Sequence, residues 1–283
     1  MGRPLVAHAV AGGRSHGALT AAHRVSMIDQ VQWKAGSLEI WREGDGPTVG
    51  YLHGMVCAPG RQPFVPELAG RGFRVVAPSL PGYSRTSPSA DIRNIHDWVF
   101  ALSEIIDVAG LAGAPMVASS TGAMLALELA AVRPEAFSSL VLVAPLGLWR
   151  EDRPVADPFS TTLSGQRALL TKDPAATALF FEDSASGDLL VDATIQRYTA
   201  RTATASLVWP IPEFGLAERI HRVSCPVTLV WGSDDQIIDP SYADVFVSQV
   251  RDVRGRHVVN GAGHLAEWDD PRAVASLAAA AIA

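Results

Sequence analysis

Cysteine is almost missing from this chain of 283 residues, which holds only Cys57 and Cys225. Two cysteines set so far apart give neither a disulfide framework nor a metal-ligand spacing, and they fit a reducing cytoplasm. Long apolar runs are missing as well. None approaches the roughly 18 residues that a membrane-spanning helix needs. Basic runs and basic amphipathic stripes are also lacking. With 23 Lys and Arg against 29 Asp and Glu, the formal net charge is −6. That balance argues against nucleic acid or an anionic membrane as the main partner and leaves a small molecule as the expected one. No internal repeat or low-complexity array is present. What remains is apolar: 48% hydrophobic and 18% charged residues describe a packed globular protein. The length fits one large α/β domain with an insertion, as a monomer or homodimer, rather than two independent domains.

The first 26 residues stand apart. They carry Arg3, Arg14 and Arg24, no acidic residue, and a short apolar run broken by His8 and ended by Gly12-Gly13. A secretory signal has a cleaner apolar region and a small-residue cleavage site. A Met-Gly start suits myristoylation, but Val6 stands where Ser or Thr is wanted. Residues 1–26 therefore read as a flexible leader, with an organelle-type or vestigial export signal as the alternative.

Strand and helix signals alternate from Ser37 onward. Ser37–Glu43 and Thr48–Leu52, split by Gly44-Asp45-Gly46, read as a hairpin or as adjacent strands. Phe73–Ala77, Met116–Ala118, Leu140–Val143, Val227–Trp231 and Arg256–Val259 read as further buried strands. Asp91–Leu111 has helical spacing, with Ile95, Val99, Leu102, Ile106 and Val108 on one face. Gly122–Val132, Ser241–Val250 and Pro271–Ala281 are helical too. This alternation predicts an α/β fold whose mainly parallel sheet is covered by helices on both faces. Between Leu146 and about Ile220 strand signals stop. The stretch holds short helical patterns at Gly165–Thr171, Pro174–Phe181 and Gly187–Leu207, and it concentrates Trp149, Phe159, Phe180, Phe181, Trp209 and Phe214. The expected division is a core of residues 27–146 and 221–283 with a helical lid at 147–220.

The chemistry centres on Val117-Ala118-Ser119-Ser120-Thr121-Gly122-Ala123, between a strand and a helix. A nucleophilic serine on a sharp strand-to-helix turn needs small flanking residues, because the chain folds back on itself. Here Ala118 stands where the first glycine of that pattern is usual, and Gly122 keeps the second. The helix amides then face developing negative charge, with Thr121 as one oxyanion donor. Taken alone, the segment reads more readily as a Ser/Thr helix cap. Leu52-His53-Gly54-Met55 ends a strand, and its Gly lets the Met55 amide act as a second donor. His53 reads as a structural residue of that loop. In Trp231-Gly232-Ser233-Asp234-Asp235, a carboxylate can fix a histidine tautomer. Asp235 is the choice, Asp234 the rival and Asp239 more distant. Gly261-Ala262-Gly263-His264 offers the imidazole on a loop of small residues. His96, His221 and His257 read as structural or surface residues. Ser120, Asp235 and His264 follow one another in the chain order that such a triad takes on this kind of fold.

On these motifs, and on "FRVVAPSLPGYSRT", "SSLVLVAPLGLW", "PVTLVWGSDDQIIDP" and "GAGHLAEWDDP", the chain resembles the α/β-hydrolase fold superfamily from about Ser37 to its end. It is similar to lidded bacterial members: esterases, cofactor-free haloperoxidase-like enzymes and carbon–carbon bond hydrolases. The resemblance implies the triad and oxyanion amides just derived, and no cofactor or metal. Two departures stand out: Ala118 at the elbow, and Ser79 where the strand-end "D-x-P-G" loop usually has an acid.

A serine nucleophile excludes the branches that attack with aspartate. Ester or thioester cleavage through an acyl-enzyme needs only the triad and the oxyanion donors. Carbon–carbon hydrolysis of a diketone-like substrate is the alternative. Relatives of that type usually carry Asn before the serine and Trp after the histidine, where this chain has Ser119 and Leu265. A biosynthetic, non-hydrolytic reaction or a receptor role is a third reading, since fold does not fix function. Trp149 and Trp209, as candidate pocket residues, suggest an apolar substrate, although core packing explains them equally. Arg197 and Arg201 could bind a carboxylate or lie solvated on a helix, and Cys57 could line the pocket rim.

Overall fold

The computed structural model describes residues 26–55, 62–88, 90–173, 175, 186–209, 211 and 214–283. The expected leader up to residue 25, Cys57, Phe180 and Phe181 lie outside the described residues.

Eight strands form one sheet in the order β1-β2-β4-β3-β5-β6-β7-β8. They are β1 (Ser26–Trp33), β2 (Gly36–Glu43), β3 (Thr48–Leu52), β4 (Arg74–Pro78), β5 (Met116–Ser119), β6 (Leu140–Val143), β7 (Val227–Gly232) and β8 (Val253–Val259). β1 and β2 pair antiparallel, as do β2 and β4, and every pairing from β4 through β3 to β8 is parallel. The mainly parallel sheet expected from the alternation of elements is therefore present.

Three local expectations need correction. β2 and β3 are neither a hairpin nor neighbours, because β4 lies between them. β4 is buried from Val75 to Pro78, and an apolar strand of that kind is stable only with a partner on each side. β8 alternates between exposed and half-buried residues, as the outer strand of the sheet. Val108 faces solvent, whereas Ile95, Val99, Leu102 and Ile106 are buried. β1 carried no sequence signal strong enough to be read. As the other outer strand it leaves Met27 and Ile28 exposed.

Helices cover both faces. α1 (Phe64–Ala69) packs with the C-terminal helix α9 (Pro271–Ile282) over Val49, Tyr51, Val117, Val143 and Val230. On the other face, α2 (Ile95–Ala109) and α3 (Ser120–Val132) pack over Leu52, Val76, Ala118, Leu142 and Leu229. α2 begins at Asn94, whose side chain accepts from the His96 and Asp97 amides, and stops at the left-handed Gly110. α3 is buried from Ser120 to Ala131 and apolar almost all round, as a helix inside a large core must be. Each Leu or Met it buries contributes roughly 1.5–3 kcal/mol.

Between β6 and β7 run α4 (Leu163–Leu170) and α5 (Asp188–Val208), followed by α6 (Leu216–Arg219) and a single 3-10 turn, Ile220–Arg222. Two more helices, α7 (Tyr242–Gln249) and α8 (Ala266–Asp269), follow β7 and β8. Among the described residues no helix is long and apolar enough to cross a membrane.

One charge interrupts the apolar surface of α3. Glu128, 3% exposed, receives a two-pronged hydrogen bond from Arg219 of α6, at 2.9 Å from Nε and 2.8 Å from Nη2. The pair ties the nucleophile-bearing helix to the chain returning from the insertion. Removing one partner of a buried pair costs roughly 3–5 kcal/mol, because the other charge is left unmatched. Arg219 is 23% exposed, so Arg219→Met is expected to cost about 2–3 kcal/mol in urea unfolding at pH 7. Lys34→Ala, which breaks the exposed pair with Glu104, should cost under about 0.5 kcal/mol by the same measurement.

Candidate active site

The site begins where β5 turns directly into α3. Ser120 sits at that junction with φ +51°, in the left-handed region that a residue with a Cβ rarely adopts. Such a conformation costs on the order of 1–3 kcal/mol and persists only when its surroundings impose it. Gly122 shows what imposes it here. A Cβ on Gly122 would lie 2.4 Å from the His53 carbonyl oxygen and 2.9 Å from that of Leu52. The first turn of α3 is thus pressed against the end of β3. Ala118 is accommodated inside β5, fully buried and paired in register with Leu52 and Leu142.

The loop after β8 carries His264 over this serine. Ser120 Oγ is 2.8 Å from His264 Nε2, and His264 Nδ1 is 2.9 Å from Asp235 Oδ2. Asp235 Oδ1 accepts two backbone hydrogen bonds, from Ile237 at 2.8 Å and Ile238 at 2.9 Å. One carboxylate oxygen is therefore held by backbone and the other is aimed at the imidazole. With Nδ1–H donating to Asp235, Nε2 carries a lone pair toward the serine hydroxyl. Ser120 and His264 are fully buried and Asp235 nearly so. The two loops meet at Gly232, where a Cβ would lie 2.1 Å from the Gly263 carbonyl oxygen.

The rival carboxylates are engaged elsewhere. Asp234 is half-buried, 3.6 Å from Lys172 Nζ. Asp239 accepts from the Ser241 amide at 2.9 Å and lies 3.6 Å from Arg153. Hydrogen bonds from Ser241 hold its carboxyl below the usual carboxylate range.

His53 is the pin of the loop opposite. Its Nδ1–H donates to the Gly54 carbonyl at 2.9 Å, and its Nε2 accepts from the Leu80 amide at 3.0 Å. Both ring nitrogens are thus used by backbone, and the ring packs edge-on against Tyr83 at 4.5 Å. Burial lowers its pKa from 6.5 to about 4, against a smaller upward pull from the Gly54 carbonyl. Met55, buried, follows one residue beyond Gly54, and Thr121 opens the helix directly after Ser120. Both expected amide donors therefore belong to segments that flank the serine. His96 and His221 are exposed and His257 half-buried.

The aromatic and arginine candidates fall differently. Trp209 is 59% exposed, and its indole N–H points to Asp157 at 3.4 Å. It lines a surface groove with Asp157, Phe159 and Arg201, and neither Ser120 nor His264 lines that groove. Trp149 packs against the main core and donates to Glu151 at 3.1 Å. Arg197 donates to Thr194 on its own helix at 3.1 Å. Arg201 donates to the Phe159 carbonyl at 2.8 Å. Burial pushes the Cys225 thiol up to about 11, away from nucleophilic chemistry.

Sequence reasoning missed three carboxylates that hold the site. Asp269 accepts from the Gly263 amide at 2.7 Å and from the Lys172 and Asp173 amides at 2.8 and 3.1 Å. It clamps the residue before His264 to the chain that leaves α4. Glu39 of β2 lies beside Ser79: its carboxylate accepts from Ser84, from Ser79 at 3.4 Å and from Gln30 at 3.1 Å. The carboxylate beside Ser79 thus comes from the neighbouring strand. Glu267 lies fully buried, 3.3 Å from the Tyr51 hydroxyl. Only the acid-rich run after His264 signalled either of the two C-terminal residues.

The model of the alpha/beta hydrolase family matches residues 51–277. Among curated proteins, the chain is similar to monoacylglycerol lipase abhd6-B of Xenopus laevis, 24% identical over 261 residues, which span 83% of this chain and 75% of that one. It is also similar to a 2-hydroxy-6-oxononadienedioate/2-hydroxy-6-oxononatrienedioate hydrolase of Comamonas testosteroni, 26% identical over 211 residues, or 70% of this chain and 73% of that one. Among solved structures, naproxen esterase of Bacillus subtilis superposes with a TM-score of 0.71 at 16% identity, over 91% of this chain and 92% of that one.

The low pKa of His53 makes stability depend on pH. Below pH 6.5 the unfolded chain takes up a proton that the folded one refuses until about pH 4. Stability present above pH 6.5 is lost as pH falls through that window, up to about 3 kcal/mol. Between pH 7 and pH 5 the expected loss from this residue is about 2 kcal/mol, read from urea midpoints. His53→Gln keeps a donor and an acceptor but does not titrate, so its midpoint should fall less over the same interval.

Proposed function

The chain belongs to the alpha/beta hydrolase family, and we propose that it is a serine hydrolase cleaving an ester or thioester bond of a small, largely apolar substrate. The observation that carries this reading is the buried line Asp235–His264–Ser120, with steps of 2.9 and 2.8 Å and a strained serine at its end. Ser120 Oγ attacks the carbonyl carbon as His264 Nε2 takes the hydroxyl proton. Asp235 stabilises the imidazolium through Nδ1 and keeps the ring from turning. The Met55 and Thr121 amides receive the tetrahedral oxyanion, in a site where water is excluded and each hydrogen bond is strengthened. The imidazolium then protonates the departing alcohol or thiol. A water molecule, deprotonated by the same histidine, releases the acid and restores Ser120.

The apolar preference rests on the residues nearest the serine rather than on the insertion's aromatics. Met55 adjoins Gly54, and the Leu146 amide donates to the Ser120 carbonyl at 3.2 Å; both side chains are buried. We read the helical insertion, residues 147–220, as a lid over this site, and the partner as a small molecule. No cofactor is needed for this chemistry. The cysteine content fits action in the cytoplasm, as a monomer or homodimer.

Similarity to a carbon–carbon hydrolase supports a second reading, cleavage of a vinylogous diketone by the same residues. Ser119 and Leu265, both buried, occupy the positions where relatives of that type carry Asn and Trp, which favours the ester.

A fluorophosphonate probe should label the wild-type protein, and Ser120→Ala should abolish labelling. Asp235→Asn should lower kcat on p-nitrophenyl esters by about 10⁴-fold, by analogy with the same change in a serine protease, while Asp234→Asn stays within a few-fold. Labelling that persists in Ser120→Ala would overturn the nucleophile. Turnover of a vinylogous diketone in preference to every ester would move the reaction to the second reading.

A further inference from the structure

Beneath the elbow, on the face covered by α1 and α9, four polar side chains from four segments are sealed in one place. They are Tyr51 of β3, Gln62 ahead of α1, Ser119 at the end of β5 and Glu267 of α8. All are buried, Tyr51, Ser119 and Glu267 completely. Tyr51 hydrogen-bonds the Gln62 Oε1 atom and lies 3.3 Å from Glu267 Oε1. The Ser119 hydroxyl lies beside the Glu267 carboxyl, near enough to draw its pKa down, yet outside hydrogen-bond geometry. The triad does not use this carboxyl, although it sits three residues from His264.

We propose that Glu267 is a positioning residue for the nucleophile: its side chain braces Ser119 and Tyr51 from beneath, so that Ser120 Oγ stays on the line to His264. This inference rests on the serine-nucleophile reading above. Ser119 is the residue through which β5 hands the chain to the strained Ser120, so any shift of Ser119 moves Oγ. A hydrocarbon in place of Glu267 would remove the polar group that the Tyr51 phenol shares with Gln62 and that the Ser119 hydroxyl faces, and both side chains would be free to shift.

The Tyr51 hydroxyl is turned to Gln62 Oε1 and to Glu267 Oε1. Burial favours the neutral form of the brace and raises the Glu267 pKa, outweighing the downward pulls of Ser119, its own backbone, His264 and Tyr51. Charge logic agrees. A second carboxylate beside His264 would compete with Asp235 for the imidazolium and hold it too tightly for proton return.

The test compares wild type, Glu267→Gln, Glu267→Leu and Ser119→Ala, each checked for folding by thermal unfolding. Readouts are kcat and KM on a p-nitrophenyl ester, the pH profile of kcat/KM, and the rate of fluorophosphonate labelling. Glu267→Gln, which keeps the shape and an amide donor, should retain kcat within about threefold with a superimposable pH profile. Glu267→Leu should lose at least tenfold in kcat and in labelling rate, with KM within twofold. Should Glu267→Leu not fold, Ser119→Ala serves, with a several-fold loss in kcat at unchanged KM. Full labelling of Glu267→Leu, or full kcat in Ser119→Ala, overturns the brace while the nucleophile reading stands. A loss in Glu267→Gln as large as in Glu267→Leu, or a shifted pH profile, overturns the neutral brace. Wild-type protein that takes no label overturns the nucleophile reading first, and the brace with it.

Discussion

The approach of α3 to the end of β3 is the constraint on which the rest of the molecule depends. Gly122 has room for a hydrogen and nothing larger beside the His53 and Leu52 carbonyls. That contact fixes how steeply the chain turns out of β5, and the turn forces Ser120 to φ +51°. It also sets the loop after β3 against the start of α3, so one contact positions both the hydroxyl and the amides expected to receive charge. A looser junction would relieve the strain at Ser120 and lose the alignment with His264. Strain of this size persists because α3 is buried along almost its whole length and cannot tilt away without opening the core.

Four of the buried carboxyls meet the cost of burial in different ways. Asp235 takes two backbone amides on one oxygen and an imidazole on the other. Glu128 is matched by the planar fork of Arg219. Glu39 collects hydroxyls and an amide from Ser84, Ser79 and Gln30. Glu267 lies against Tyr51 and Ser119, and burial raises its pKa. The first solution aims a carboxylate oxygen at the imidazole. The next two stabilise packing some distance from the reacting atoms. At the last, burial disfavours a second charge near the histidine.

Sequence patterns carried the centre of this design better than its margins. Fully buried strands such as Leu140–Val143 announce themselves as unbroken apolar runs, and their bounds were legible to the residue. Ser120, Asp235 and His264 were legible because each follows a strand signal and adjoins small residues, which few other serines, aspartates or histidines here do. β1 was not, because an outer strand is stabilised on one side only and needs no apolar run. The place of β4 between β2 and β3 was not, because a short glycine turn permits a hairpin without requiring one. Glu39 was invisible for a further reason: it meets Ser79 from a strand some 40 residues away in the chain.

The insertion shows how an aromatic count can mislead. α5 turns small and mid-sized residues inward, including Ala193, Ala200 and Thr204, and leaves Val191, Ile195 and Tyr198 exposed. Its polarity is set by distance rather than by hydrophobicity. Ala203 packs against the loop at Gly82, and the Thr204 hydroxyl meets Tyr83, whose ring lies against His53. Where the helix sits this close to backbone it carries small side chains, while Leu207 and Val208 at its end pack into the core. Trp209, the next residue, is exposed. The route from the insertion to the reacting serine therefore runs through Thr204, Tyr83 and His53, small or polar groups in contact, and not through the tryptophans that first drew attention.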